Sequence, residues 1–281
     1  MKVKRVLTTL ILLICVLLFL YYENNFITIT NVTIKSNKLP QSFNGYKIVH
    51  LSDLHSKSFG ESQRNLIRKI RNIEPDLIVF TGDLIDSKDY NEEAGIGLMK
   101  QIVRIAPVYY VTGNHEWWSG RFDTLEKAIK ESGATVLRNA YKKIAKNQDE
   151  IFIIGIDDPA ASYDRDGEEK LIENEIGTAT QGIEEDKRFK ILLSHRPEVF
   201  SIYSQFSFNL ILSGHAHGGQ VRLPLIGSII APNQGFFPHY TSGKYIEEDS
   251  IMVVNRGLGN SIIPQRLFNH PEVIVITLSK D

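Results

Sequence analysis

A single cysteine, Cys15, stands among 281 residues. No disulfide can form within the chain, and cysteine usage leaves the redox compartment open. Neither sign of charge dominates: Lys and Arg number 32, Asp and Glu 33, for a net charge of -1. That balance offers no basic field for nucleic acid and no acidic tail of the disordered kind. A nucleophile signature and a phosphate-binding signature are also missing. There is no G-x-S-x-G elbow and no P-loop lysine. What remains, 42% apolar and 23% charged, is ordinary globular composition with length for one large or two small domains.

One apolar run is long. Residues 6–22, VLTTLILLICVLLFLYY, carry no charge and follow Lys2, Lys4 and Arg5. At about 1.5 Å per helical residue the run spans roughly 25 Å, just enough for a bilayer core. A buried core helix is a poor reading of it, because the run has no polar face. Tyr21 and Tyr22 fall at the far interface, and the basic flank predicts a cytoplasmic N-terminus with the remainder outside. A cleaved signal peptide needs small residues at its cleavage site, and residues 19–25, FLYYENN, offer no A-x-A pattern. The chain therefore divides into a basic flank (1–5), a single-pass anchor in the cell membrane (6–22), a tether with a first strand (23–45) and a catalytic domain (46–281).

Five later stretches share one design, an apolar run that stops at Gly or Ser and then offers Asp or His. Ser52-Asp53-Leu54-His55 follows residues 46–51, Gly82-Asp83 follows 77–80, and Gly113-Asn114-His115-Glu116 follows 108–111. Ser194-His195 follows 189–193, and Gly214-His215-Ala216-His217 follows 209–212. These runs lack polar alternation, as do strands covered on both faces. Residues 61–73 and 92–105 have helical spacing, and Pro75 and Pro107 stop them. The resulting β-α-β-α-β rhythm sets Asp53, His55, Asp83, Asn114 and His115 past the carboxyl ends of neighbouring strands, where open α/β sheets bind ligands. Asp53 and His55 are two apart, and in an extended segment they face the same way. Alone, D-x-H reads better as a helix N-cap, and His195 as a core histidine. Jointly the five endings read as a two-metal hydrolase.

Further along, residues 120–132 read as a helix, and 135–138, 141–145 and 151–156 as strands. Asp157-Asp158-Pro159 reads as a turn. The acidic stretch 168–187 reads as weakly helical solvated surface. The tail supplies strands at 221–223, 251–255 and 273–278. Between them residues 224–241 are irregular, with Phe236, Phe237 and Tyr240 expected to pack on the core; contact with lipid or with an apolar part of a substrate is the alternative.

The set D-x-H, G-D, G-N-H-E, a later H and G-H-x-H resembles the calcineurin-like metallophosphoesterase superfamily over about residues 46–278, with no motif position missing. The resemblance implies an α/β fold, a two-sheet αββα sandwich with a binuclear metal centre at one edge, here preceded by one transmembrane helix. It implies Asp53, His55 and His217 at the first metal, Asp83 bridging, and Asn114, His195 and His215 at the second. His115 becomes the catalytic histidine beside the scissile phosphate, without being a ligand. Two divalent ions are implied, and donors without thiolate suit Mn, Fe or Zn. The chemistry implied is direct in-line attack by hydroxide between the metals. His115 then steadies charge or protonates the leaving oxygen.

After G-H-x-H-G-G-Q come R-G-L-G and R-x-F-x-x-P-E. That tail resembles a bacterial branch whose members are often exported or membrane-anchored. Some of them act on UDP-2,3-diacylglucosamine. Arg256 or Arg266 is a candidate phosphate clamp, with a salt bridge the alternative. The expected activity is hydrolysis of a phosphodiester, pyrophosphate or phosphomonoester, a diester before a monoester. The alternatives are a UDP-2,3-diacylglucosamine pyrophosphatase-like activity on lipid, a non-catalytic metal-binding module, and a two-metal peptidase or amidase. The partners are a phosphate ester, lipid-linked or not, and the membrane. Nothing in the sequence points to nucleic acid or to an obligate protein partner.

Overall fold

The computed structural model describes residues 2–162, 167–219, 221–224, 226–261 and 263–281. Gln220 of the G-H-x-H-G-G-Q run and residues 163–166 of the polar loop lie outside them. Helix α1 (Lys2–Asn25) passes after two residues into strand β1 (Thr28–Lys35). There follow β2 (Lys47–Leu51), α2 (Arg64–Ile73), β3 (Leu77–Thr81), α3 (Glu92–Ile102) and β4 (Val108–Val111). Next come α4 (Asn114–Trp118), α5 (Phe122–Glu131), β5 (Thr135–Val136), β6 (Ala140–Lys146) and β7 (Asp149–Gly155). Helix α6 (Glu168–Ala179), β8 (Lys190–Leu193), α7 (Phe200–Tyr203) and β9 (Leu210–Ser213) lead to two small hairpins. These pair β10 (Arg222–Leu223) with β11 (Gly227–Ser228), and β12 (Ile230–Ala231) with β13 (Gly235–Phe236). Strands β14 (Gly243–Glu247), β15 (Ser250–Val254) and β16 (Glu272–Ser279) complete the chain.

The strands form two six-stranded sheets, in the orders β1-β16-β2-β3-β4-β5 and β14-β15-β9-β8-β7-β6. Strands β2 to β5 run parallel, as do β7, β8, β9 and β15. Alternation along each strand sorts side chains between layers. Ile48, Val79, Ile191 and Leu212 meet in the core between the sheets. Val49, Leu51, Ile78 and Phe80 face the layer of α2, α3 and α5. Phe152, Ile154, Leu192 and Ile211 face α6 and α7. The order of layers is α-β-β-α. The central strands of each sheet are covered on both faces, which explains the continuous apolar runs. Each buried Ile, Leu or Phe contributes about 1.5–3 kcal/mol.

Four local readings change. Residues 23–45 hold the expected first strand, β1, hydrogen-bonded to β16 along its whole length, but no free tether precedes it: Glu23 is buried and α1 continues to Asn25. The stretch 168–187 is not all solvated. Helix α6 buries Ile172, Glu175, Ile176 and Ala179, one face at helical spacing beneath an acidic surface. The first of the short strands after α5 ends at Val136 rather than at 138. Strand β14 and the short α4 were not visible in the apolar pattern, being half polar or part of a motif.

Candidate metal centre

The ligand-type residues sit past the carboxyl ends of five parallel strands, three from one sheet and two from the other. Asp53 and His55 follow β2, Asp83 follows β3, and Asn114 and His115 follow β4. His195 follows β8, and His215 and His217 follow β9. Asp53 and His55 are not in an extended segment. Their φ angles are 52° and 47°, and Asp83, His215 and His217 stand at 56°, 64° and 49°. The left-handed backbone, rather than alternation, turns these side chains inward. Non-glycine residues reach that region chiefly where surrounding structure enforces it. Gly214 shows the crowding: a Cβ there would strike Ser52 Oγ and Asp53 Oδ2.

Two groups of side chains result. Asp53, His55, Asp83 and His217 offer donor atoms within 4.8 Å of one another, and so do Asp83, His195 and His215. Asp83 belongs to both. Its Oδ2 lies 3.4 Å from His55 Nε2 and 3.2 Å from His195 Nε2. His55 Nε2 faces His217 Nε2 at 3.0 Å, and His195 Nε2 faces His215 Nδ1 at 3.1 Å. His195 Nδ1 is 2.7 Å from Thr81 O. That contact fixes one proton on Nδ1 and leaves Nε2 as the nitrogen that faces Asp83, where either a proton or a metal ion can sit, the usual support of a ligating histidine. Asn114 is buried, with no hydrogen-bond partner for its Oδ1. A third group, His55, Asp86 and His115, adjoins the first.

Charge reinforces the picture. Burial pushes the Asp83 carboxyl up, but His195, His115 and His55 outweigh it and hold it well below the usual range. Burial lowers His195, yet Asp83 and Asp53 raise it to about 10. Burial leaves Asp53 raised, and holds His215 and His217 well below their ordinary value. A ring nitrogen that keeps a proton between buried carboxylates marks a place where a cation fits. The facing ring nitrogens and the unpartnered Asn114 oxygen agree with N/O coordination of divalent ions.

His115 lies beside the first group, its ring centroid 4.5 Å from that of His55. Its backbone N–H donates to Asp83 Oδ1 at 2.9 Å, and its Nδ1 accepts from the Ser87 N–H at 3.0 Å. Burial lowers its pKa. The exposed Trp118 ring is 5.3 Å away.

The arginines are placed elsewhere. Arg266 is fully buried, and its guanidinium donates to the carbonyls of Gly259, Asn269 and Arg256. Burial lowers it to about 10. This is a brace under the site, not a clamp at its mouth. Arg256 pairs at 2.8 Å with Glu272, a buried carboxylate rather than the acidic surface expected for the salt-bridge alternative. Asp157 holds Arg138, while Asp158 holds Arg196 and caps the turn at Ala160.

Two roles escaped the sequence. Glu116 accepts the N–H groups of Gly113 at 2.7 Å, Asp83 at 2.8 Å and Leu84 at 2.8 Å. It thereby joins two ligand loops; its place in G-N-H-E was the available signal. Glu198 stands 3.8 Å from His215 Nε2, and nothing but its nearness to His195 in sequence points to it.

Comparison with known proteins agrees with this geometry. The model of the calcineurin-like phosphoesterase family matches residues 46–219. An uncharacterized metallophosphoesterase of Bacillus subtilis, YkuE, is 35% identical over 263 residues, covering 92% of this chain and 87% of that one. A transmembrane protein with metallophosphoesterase domain from Danio rerio is 28% identical over 90% of this chain, which spans only 57% of it. Among solved structures, TT1561 of Thermus thermophilus superposes with a TM-score of 0.50 at 14% identity, over 76% of this chain and 91% of that one. The two sheets, the paired Asp and His groups and the family match together place the chain in the calcineurin-like phosphoesterase family.

Proposed function

We propose that the protein is a membrane-anchored phosphodiesterase working with two divalent metal ions, its catalytic domain outside the cytoplasm. The observation that carries this reading is Asp83, a buried carboxylate common to two groups of imidazole and carboxylate donors. Asp53, His55 and His217 would hold one ion and Asn114, His195 and His215 the other, with Asp83 serving both. When bound, such ions supply positive charge to phosphoryl oxygens and acidity to a water.

The chain's own residues do the rest. Because Ser87 donates to His115 Nδ1, the neutral ring carries its proton on Nε2, free to bond a phosphoryl or leaving oxygen. Glu116 and Asp83 register the loops that carry Asn114 and His115. The arginines beside the ligand loops, Arg196, Arg256 and Arg266, are spent on carboxylates and carbonyls. That suits the single charge of a diester better than the double charge of a monoester. Helix α1, long and apolar enough to cross a membrane, supports the anchor. Lys2, Lys4 and Arg5 support a cytoplasmic N-terminus.

The test uses the full chain in detergent, stripped by chelation and resupplied with Mn, Zn or Fe singly. Restored cleavage of bis-p-nitrophenyl phosphate, faster than of p-nitrophenyl phosphate, is the expected result. A preference for the monoester refutes the diester reading, and no cleavage with bound metal of these two or of a long-chain alkyl p-nitrophenyl phosphate refutes the enzyme.

A further inference from the structure

The last turns of α1 are built into the domain. Asn24 Oδ1 accepts from the Arg266 N–H at 2.8 Å, and its Nδ2 donates to Pro264 O at 3.0 Å. Gln265 Nε2 donates to Leu20 O at 3.0 Å, and His270 meets Glu23 at 3.0 Å. The rings of Phe19 and Phe268 touch, with centroids 5.9 Å apart. Residues 264–270 therefore form a seat for the end of the anchor, and Phe268 stands at the level of a residue inside the apolar run.

The same seat abuts the metal centre. Arg266 Nε donates to Gly259 O at 2.9 Å, and the Gly259 N–H donates to Asp53 O at 2.6 Å. Asn269 Nδ2 donates to His217 O at 2.7 Å. Two of the candidate ligands are thus bonded, through Arg266 with Gly259 and through Asn269, to the seat that holds the end of α1.

The remaining exposed apolar groups gather here too. Beyond residue 26, nine large apolar side chains are exposed among the described residues. Six of them, Leu223, Ile226, Ile230, Phe236, Phe237 and Phe268, lie on the two hairpins and the seat. Backbone bonds lace these pieces together: Arg222 N–H to Leu267 O, Ile229 N–H to Val221 O, and Phe237 N–H to Ile229 O. Phe236 and Phe237, 74% and 72% exposed, correct the expectation that they pack on the core; Tyr240 does pack, edge-on to Phe200. Single exposed apolar groups are normal, but a concentration next to a site marks a contact surface. A rim continuous with a membrane helix and tipped with aromatic and aliphatic groups suits the bilayer interface.

We propose that this rim docks into the headgroup layer of the membrane holding α1, and that the metal centre serves phosphate esters of membrane amphiphiles. The substrate half of this rests on the phosphoesterase reading; the docking half does not.

Docking is read from the full chain carrying Cys15→Ser in phosphatidylcholine nanodiscs with doxyl-labelled lipid. A fluorophore on Phe237→Cys should be quenched, and one on Gln148→Cys, at the turn before β7 and opposite the ligand loops, should not. Equal, weak quenching at both positions overturns the docking. The substrate class is read with hexadecyl and methyl p-nitrophenyl phosphate, which share one reacting diester. In both, water displaces p-nitrophenolate from phosphorus and leaves the alkyl phosphate. The variant Phe236→Ser/Phe237→Ser should lose roughly tenfold on the hexadecyl ester and keep its rate on the methyl ester. Equal loss on both esters, or no loss, overturns the substrate class. If the wild type with restored metal cleaves neither, the phosphoesterase reading fails, and quenching still decides the docking.

Discussion

Replacing Glu116 by glutamine tests whether one buried carboxylate sets the register of the metal loops. Its Oε2 accepts from Gly113 and Asp83 at 2.7 and 2.8 Å, and its Oε1 from Leu84 at 2.8 Å. Glutamine keeps one acceptor oxygen. Turned to serve Gly113 and Asp83, it sets its amide hydrogens against the Leu84 N–H. The charge-assisted bond from Leu84 is lost and that buried donor is stranded, together with the longer 3.4 Å bond from Ile85. Bonds to charged groups contribute about 1.5–3 kcal/mol, and a stranded buried donor costs about 1–3 kcal/mol. Burial and the Asp83 charge already push the Glu116 carboxyl up to about 7, so removing its charge relieves part of the cost. The net loss should be about 2–3 kcal/mol, or roughly 5–10 °C in unfolding temperature for a domain of this size. Metal affinity should fall about 10–100-fold, as for other supports of ligating groups. Thermal unfolding with and without chelator, beside metal content by mass spectrometry, reads both quantities. A Glu116→Gln protein that melts with the wild type and binds metal as tightly refutes the reasoning.

Other substitutions separate the remaining roles. His115→Ala should lower turnover about 10²–10⁴-fold with metal content unchanged; loss of metal would make it a ligand. Arg266→Ala strands carbonyls of Gly259, Asn269 and Arg256 and should cost about 3 kcal/mol or more, at roughly 1–3 kcal/mol for each stranded acceptor; a raised KM at unchanged stability would restore the clamp. Burial, with the Asp157 and Asp158 charges, pushes Glu175 from 4.5 up to about 8. The stability linked to this raised carboxyl is full below about pH 4.5 and is lost as pH rises through about 8, by at most about 4–5 kcal/mol. Glu175→Gln should therefore be more stable than the wild type at pH 9 and match it at pH 4, as urea unfolding would show.

The sandwich was legible because its strands are covered on both faces, so that runs such as residues 77–80 and 209–212 carry no competing signal. The order of donors was legible because each run stops at a small residue and then offers Asp, Asn or His. The reason given for Asp53 and His55 was wrong although their convergence is real. Residue type does not encode the sign of φ, and it is the packing of Ser52, Gly214 and the neighbouring loops that forces the left-handed turn. Helix α6 was obscured by Glu168, Glu169, Glu173 and Glu175, which mask the spacing of Ile172 and Ile176. For Arg256 and Arg266 a clamp and a salt bridge both stayed open, because a sequence shows a cation and not the Glu272 carboxylate beside the first or the carbonyls around the second. For Phe236 and Phe237 core packing was preferred to lipid contact, because composition alone cannot tell a buried aromatic from an exposed one.

The backbone at the site explains why so large a core surrounds it. A left-handed residue that is not glycine costs about 1–2 kcal/mol, and Asp53, His55, Asp83, His215 and His217 all adopt it. Their sum, about 5–10 kcal/mol, rivals the net stability of an ordinary domain. Neither sheet can hold such loops alone. The bonds that offset the cost run between the sheets: the Asp53 carboxylate accepts the His215 N–H at 3.1 Å, and Asn255 Nδ2 donates to His50 O at 2.7 Å. Those bonds require the apolar layer between the sheets to fix their spacing, with Ile48, Val79, Ile191 and Leu212 buried within it. Ions that bind only the folded arrangement add to the same balance. The site and the sandwich are thus one energetic unit, in which the core holds the loops in a strained form and the donors gathered there gain a use for it.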